Sequence, residues 1–281
     1  MTNNANNMAA QTILVTAGTG KVGRRVADGL TAKGFPVRIG SRSADIPFDW
    51  EDRGTWGAVL EGVRAAFVMY TPDIGDPRAG ETIRAFSELA VASGVERLVL
   101  LSARGEDQAG PAEDAVRASG AKWTVLQAAW FNQNFDEGVF TEMILGGALA
   151  FPAGQVLEPF VDSGDLADVA VAALTEDGHA GKNYDLTGPR LLTFGDAVAA
   201  IGGALGREIQ YIPVTGAEFG AVLTAEFGMP DAEVAAMLDI FATLLDGRNA
   251  TVTDTLATLL GRAPVDFADY VRDAVAAGAW K

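Results

Sequence analysis

The chain has 281 residues, 49% of them apolar, and a formal net charge of −16. That is enough apolar material for the core of one large domain or two smaller ones, and no run reaches the roughly 20 apolar residues that span a bilayer, so no membrane partner is expected. The acidity repels phosphate backbones and argues against nucleic acid as a partner, while the absence of cysteine excludes disulfides, thiolate nucleophiles and Cys-ligated metals.

The leader MTNNANNMAA at 1–10 has neither a positive segment nor an apolar one and reads as a flexible end of a cytoplasmic protein. Strand-like runs follow at 12–16 (TILVT), 36–40 (PVRIG), 65–70 (AAFVMY), 97–101 (RLVLL) and 123–127 (WTVLQ), with a short extra strand at 46–50 (IPFDW) and a late one at 183–188 (NYDLTG). Between them lie helical stripes such as Val22, Val26, Leu30 and Ile83, Phe86, Leu89, Ala90. Strands apolar on both faces that alternate with amphipathic helices predict an α/β fold, a doubly wound parallel sheet of Rossmann type over 11–188. From 189 the pattern turns mostly helical. Phe194, Val198, Ile201 and Leu205 form a stripe, with Thr193 as N-cap and Gly206 as the stop. A strand at 209–214 and helices at 230–246 and 266–275, the last capped by Asp266, complete a smaller lobe at 189–281. With contributions from about 130–160, this lobe is expected to close a cleft and bind substrate.

Gly18, Gly20 and Gly23 fit G-x-G-x-x-G directly after a strand and at the start of a helix. In that setting the first glycine permits the turn, the second lets the backbone approach a pyrophosphate, and the third lets the helix pack closely, with the helix N-terminus facing the phosphates. A site for NAD places an acid at the end of the second strand; here the residues are Ser41, Arg42 and Ser43, with no acid before Asp45. A cation flanked by hydroxyls suits a 2′-phosphate, so NADP(H) is the expected cofactor, a solvated loop being the other account of Arg42. Asp49 is placed to accept from the adenine amino group, with Trp50 as apolar cover.

The segments ILVTAGTGKVG, SRS, FDWED, LVLLSARGE, WTVLQAAWFNQNF and FVDSGDLADVAVAAL together resemble the NmrA-like branch of the atypical short-chain dehydrogenases/reductases, and the SRS…FDW pair resembles its ergot-alkaloid dehydrogenase group. Ala17 stands where that family usually has its first glycine. The resemblance implies that NADP(H) lies across the carboxyl ends of the strands. It would be touched by Thr19, Lys21 and Val22, by Ser41 and Arg42, by Tyr70, Thr71 and Pro72, and by Ser102, Ala103 and Arg104. The 128–135 loop would flank the nicotinamide and a small, aromatic or heterocyclic substrate, with Trp130, Phe131 and Phe135 as pocket wall or core and Asn132 and Asn134 as polar handles.

Ordinary short-chain dehydrogenases use Tyr-x-x-x-Lys for proton transfer. Here Tyr70, Tyr184, Tyr211 and Tyr270 are followed four residues on by Ile74, Gly188, Thr215 and Ala274, so the pair is missing. Two candidates for acid–base work remain. Tyr70 ends a strand and either orients substrate or packs on the nicotinamide. Glu113 stands where related reductases carry a lysine, the alternative being an exposed carboxylate at a helix start. His179 sits in a turn and reads as structural, Asp165 and Asp168 read as helix-capping residues, and no metal site is expected. Two functions survive: an NADPH-dependent reductase of a small activated acceptor (imine or iminium, quinone, or conjugated C=C), and a non-catalytic NADP(H)-binding redox sensor that regulates a partner protein.

Overall fold

A computed structural model describes residues 12–281. The 1–10 leader therefore lies outside the described residues. The strands, in chain order, are β1 (Thr12–Thr16), β2 (Val37–Gly40), β3 (Val63–Val68), β4 (Arg97–Ala103), β5 (Lys122–Ala128), β6 (Ala148–Phe151), β7 (Leu157–Glu158), β8 (Lys182–Leu186), β9 (Leu192–Thr193) and β10 (Gln210–Pro213). The described residues divide into two compact units: one of 12–103, 107–128 and 163–185, the other of 104–106, 129–162 and 186–281.

The first unit holds a parallel six-stranded sheet in the order β2-β1-β3-β4-β5-β8. Its side chains alternate between faces, as strand geometry requires. Leu14, Ala66, Val68, Leu98, Leu100 and Val125 share one cluster with Trp56, Ile83, Phe86 and Val116 from the helices Trp56–Leu60, Ala79–Ala92 and Gly110–Arg117. The helices Lys21–Ala32 and Ser163–Thr175 pack against each other, and the second of them also lies against β3, β4 and β5. Helices on both faces explain why these strands are apolar throughout: Leu14, Val15, Phe67, Val99 and Leu100 are fully buried, each such side chain contributing about 1.5–3 kcal/mol.

The segment 46–50 departs from expectation, because no strand forms there. Phe48 N–H donates back to the Ser41 carbonyl (3.0 Å), and the Asp49 carbonyl accepts from the Trp56 indole (2.8 Å). Phe48 and Trp50 point their rings into the core beside Phe86, so what reads as strand alternation is a loop nailed down by two aromatics.

The second unit pairs β6 with β10 in parallel and β7 with β9 antiparallel; β6, β7 and β9 are two to four residues long and carry no periodic signal of their own. Around them lie the helices Val139–Leu145, Phe194–Leu205, Gly216–Phe227, Asp231–Leu244, Thr255–Leu260 and Phe267–Ala277. Thr193 and Asp196 cap each other reciprocally, Gly206 ends that helix at φ 65°, and Asp266 accepts from Ala268 N–H, as the sequence predicts. Gly216–Phe227 is a helix that the apolar stripes do not announce, yet Thr215 and Glu218 form a capping box at its start. The core of this unit is aromatic: Phe135, Phe151, Phe160, Phe194, Phe219 and Phe267 are all buried in one cluster.

Candidate functional site

The sheet order places a topological switch between β1 and β3. From β1 the chain runs outward to β2 on one side, then returns to β3 on the other. Ligands of open α/β sheets bind at such a point, outside the carboxyl ends of the strands. Thr16, at the end of β1, is fully buried and bolts that mouth together: its hydroxyl accepts from Met69 N–H (2.7 Å) and lies within reach of the Phe67 and Met69 carbonyls (3.2 Å each).

The loop that leaves β1 is tightly specified. Ala17 sits in the left-handed region at φ 49°, where a side chain costs energy and glycine is the usual occupant. A Cβ on Gly18 would come within 2.9 Å of Ile39 Cγ2 and the Val15 carbonyl, and one on Gly23 would run into the Ala17 carbonyl. Gly20 is the N-cap of Lys21–Ala32, with no side-chain acceptor on it and no acid in the first turn. The first N–H groups of that helix are thus matched to an anion, and a Cβ on Gly20 would crowd the Ala17 carbonyl at 3.2 Å. Thr19, Lys21 and Val22 occupy this same turn, Val22 fully buried beneath it.

Beside the loop opens a groove of about 550 Å³, lined by Thr19, Arg38, Ile39, Ser41, Ser43 and Asp45 among others. Ser41 Oγ and Ser43 Oγ lie 3.2 Å apart, and Arg42 is exposed between them. Arg38 is already committed to the Val59 and Glu61 carbonyls (2.8 and 2.7 Å), which leaves Arg42 as the cation of the 41–43 turn available to a phosphate. Two hydroxyls, a guanidinium and an acid-free helix N-terminus fit the phosphates of NADP(H).

The other expected contacts are distributed unevenly. Asp49 is half-buried, with one carboxylate oxygen accepting from Glu51 N–H (3.0 Å). Trp50 is buried between Phe48, Trp56, Tyr70 and Phe86 and donates to the Met69 carbonyl, so its ring belongs to the core. Tyr70 is buried against Trp50, 5.3 Å between ring centroids; burial, then the negative charge of Asp76, raises its phenol above the ordinary range. Thr71 and Pro72 follow at the exit of β3, joined by a cis peptide. Ser102 and Ala103 end β4 in the first unit, whereas Arg104 belongs to the second, where its guanidinium donates to the Asn249 carbonyl and to Thr251 Oγ1 at 2.6 Å each.

Glu113 is not the exposed carboxylate weighed from sequence. It is buried at 5% exposure and takes hydrogen bonds from Ser102 Oγ (2.6 Å), Gln127 Nε2 (2.9 and 3.1 Å) and Arg117 Nη2 (2.6 Å). Ser102 and Gln127 are register partners on β4 and β5, so two strand ends and one helix converge on this carboxylate. Gln127 escaped the sequence reading; its only signal is a polar residue near the end of an otherwise apolar strand.

In the second unit Trp130 packs on Phe151, Phe194 and Phe241, and its indole N–H has no partner among the described residues. Phe131 is half-buried and bridges Val161 through its backbone. Asn132 is fully buried, with both amide atoms unpartnered among the described residues. Phe135 is fully buried among Phe140, Phe160, Phe194 and Phe267, with no face left for a substrate, which decides between wall and core in favour of core. Glu158, which no motif marked, is also fully buried; both its oxygens lack a partner among the described residues, and burial, opposed by the charge of Arg104, pushes it up to about 8. His179 shares a hydrogen bond with Tyr184 (2.9 Å), and burial lowers its pKa. Asp165 lies buried in the first turn of Ser163–Thr175, while Asp168 is exposed further along and is too deep in the helix to cap it.

No protein-family model matches the chain. It is 34% identical over 284 residues to agroclavine dehydrogenase of Claviceps fusiformis, covering 93% of this chain and 96% of that protein. The chain belongs to the NmrA-like family of atypical short-chain dehydrogenases/reductases. It is also 29% identical to NAD(P)H azoreductase of Xenophilus azovorans, over 94% of this chain and 98% of that protein. The NmrA-like fold also matches the crystal structure of an NADPH-dependent quinone oxidoreductase from Escherichia coli complexed with NADPH, with TM-score 0.74 and 22% identity over 94% of this chain and 99% of that one. Among the described residues no helix is long and apolar enough to cross a membrane.

Proposed function

We propose that this protein is an NADPH-dependent reductase that transfers hydride to a small activated acceptor: an imine or iminium, a quinone, or a conjugated C=C bond. The observation that carries the reading is the glycine loop at the β1/β3 switch, with the groove lined by Ser41 and Ser43 beside it and Arg42 exposed between those two residues. NADP(H) supplies the hydride when bound. The chain's own part is to hold the phosphates on the Gly18–Gly23 loop, to receive the 2′-phosphate at Ser41, Arg42 and Ser43, and to keep the acceptor aligned.

The acceptor class follows from the proton donors on offer. Hydride addition to a plain ketone leaves charge on oxygen, which needs a positioned acid. Tyr70 is buried with its pKa raised, and Ser102 gives its single hydrogen to Glu113. An iminium needs no such donor, because hydride arrival sends the C=N electron pair to nitrogen and yields a neutral amine; a quinone spreads the charge and takes its proton from water. Positioning then supplies much of the acceleration, on the order of 7–11 kcal/mol where two reactants are held in attack geometry. A relative named for agroclavine and another named for azo reduction fit this acceptor class. The cytoplasm and an aromatic or heterocyclic substrate belong to the same proposal.

The test is consumption of NADPH, followed at its absorbance, against imines, quinones, azo dyes, enones and simple ketones. Turnover of the activated acceptors and not of the ketones is expected. Tight NADPH binding with no acceptor consumed would instead favour a redox sensor.

A further inference from the structure

The buried cluster at the ends of β4 and β5 has a polarity that its parts do not advertise. A carboxylate only accepts hydrogen bonds. Glu113 is held by Ser102, Gln127 and Arg117 through four short contacts, so its lone pairs are occupied and its charge is met by a guanidinium. It dictates how its two strand-end neighbours face outward. Ser102 has one hydroxyl hydrogen, and the 2.6 Å bond to Glu113 uses it, so anything else meeting Ser102 Oγ finds lone pairs. The Gln127 amide turns its nitrogen to both carboxylate oxygens, so by covalent geometry its carbonyl oxygen is on the far side, with no partner among the described residues. Gln127 is half-buried and Ser102 nearly fully buried, so Gln127 is the open member of the pair.

Resting on the reductase reading, we propose that Glu113 is a positioning residue that makes Ser102 and Gln127 a pair of hydrogen-bond acceptors. That pair selects cations that carry an N–H donor, a protonated imine or an ammonium, over cations that carry none. A cation without an N–H leaves the carbonyl of Gln127 without a partner. A protonated nitrogen finds the carbonyl of Gln127, with the lone pairs of Ser102 behind it. Glu113 thus sets which end of the substrate is welcome, without touching it.

The test is calorimetry on NADP⁺-loaded protein with two probes of equal charge and nearly equal shape. N,N-dimethylbenzylammonium has one N–H, and benzyltrimethylammonium has none. The wild type is expected to prefer the first by about tenfold or more, the order of a hydrogen bond to a charged donor. Gln127→Met and Glu113→Gln should bring the ratio close to one, and circular dichroism with NADP⁺ titration separates this from loss of fold or cofactor. If Glu113→Gln does not fold, Gln127→Met and Ser102→Ala carry the comparison. Equal affinities in the wild type, no binding of either probe, or a preference that survives Gln127→Met would overturn the inference. NADPH oxidation by a quinone, measured on the same wild-type sample, keeps the two readings apart. Preference without turnover counts against the reductase alone, and turnover without preference counts against the acceptor pair alone.

Discussion

Glu158 makes the stability of this protein depend on pH in a direction opposite to that of most carboxylates. Its side chain is fully buried, neither oxygen has a partner among the described residues, and its pKa stands at about 8 against 4.5 for the free group. The folded state therefore keeps the proton at a pH where the unfolded chain has released it. Between about pH 4.5 and pH 8 the unfolded state gains from ionisation while the fold does not, so this group lowers stability as pH rises, and the penalty levels off above pH 8. A shift of about 3.5 units corresponds to about 5 kcal/mol at the plateau, at 1.36 kcal/mol per unit, of which about 2.5 kcal/mol develops between about pH 6 and about pH 8.5. Glu158→Gln keeps the shape and a neutral polar end but cannot ionise. Urea unfolding of both proteins at those two pH values should show the variant gaining on the wild type by about 2.5 kcal/mol as pH rises. Parallel pH dependences, within about 0.5 kcal/mol, would mean that Glu158 is ionised in the fold and that a counter-charge reaches it.

Three further substitutions probe the cofactor site and the chemistry. Arg42→Ala should weaken NADPH binding roughly ten- to hundredfold and leave NADH nearly unchanged, since a charged hydrogen bond to the 2′-phosphate contributes about 1.5–3 kcal/mol; calorimetry with both nucleotides checks this, and equal wild-type affinities for the two would contradict it. Gly20→Val places a branched side chain where a Cβ already crowds the Ala17 carbonyl at 3.2 Å, so NADPH binding should vanish while the far-ultraviolet circular dichroism is retained. Tyr70→Phe should keep more than about a tenth of the turnover of activated acceptors, because removing a true general acid typically lowers rates 10²–10⁴-fold; a collapse on that scale would make Tyr70 the proton donor.

How much of this was legible in the sequence varies with how local the cause is. The loop from Gly18 to Gly23 could be read because its glycines answer neighbours a few residues away, Ala17 for Gly23 and Val15 for Gly18, although Gly18 also meets Ile39 on β2. Thr193 with Asp196, and Asp266 before Ala268, are likewise one-turn arrangements. Thr215 with Glu218 obeys the same rule and marked a helix that a search for apolar stripes passes over, since Gly216–Phe227 buries only Phe219, Gly220 and Leu223. The strand expected at 46–50 fails for the opposite reason: Phe48 and Trp50 alternate like strand residues but are fixed by rings contributed from 56 and 86. Glu113 looks like an ordinary first-turn acid until β4 and β5 bring Ser102 and Gln127 to it. The burial of Asn132 and Glu158 is equally a tertiary fact, because nothing adjacent in the chain accounts for a polar group left without a partner.

The central claim, hydride transfer from NADPH to an activated acceptor, is tested most directly by isotope. The wild-type protein is incubated with NADPH deuterated at its transferable position and with an iminium, a quinone and a plain ketone in turn, and the products are read by mass spectrometry. A deuterium should appear on the carbon of the reduced iminium, NADPH should be consumed with the quinone, and the ketone should return unchanged. NADPH that stays bound and unoxidised before all three, or a ketone reduced as readily as the iminium, would contradict the account.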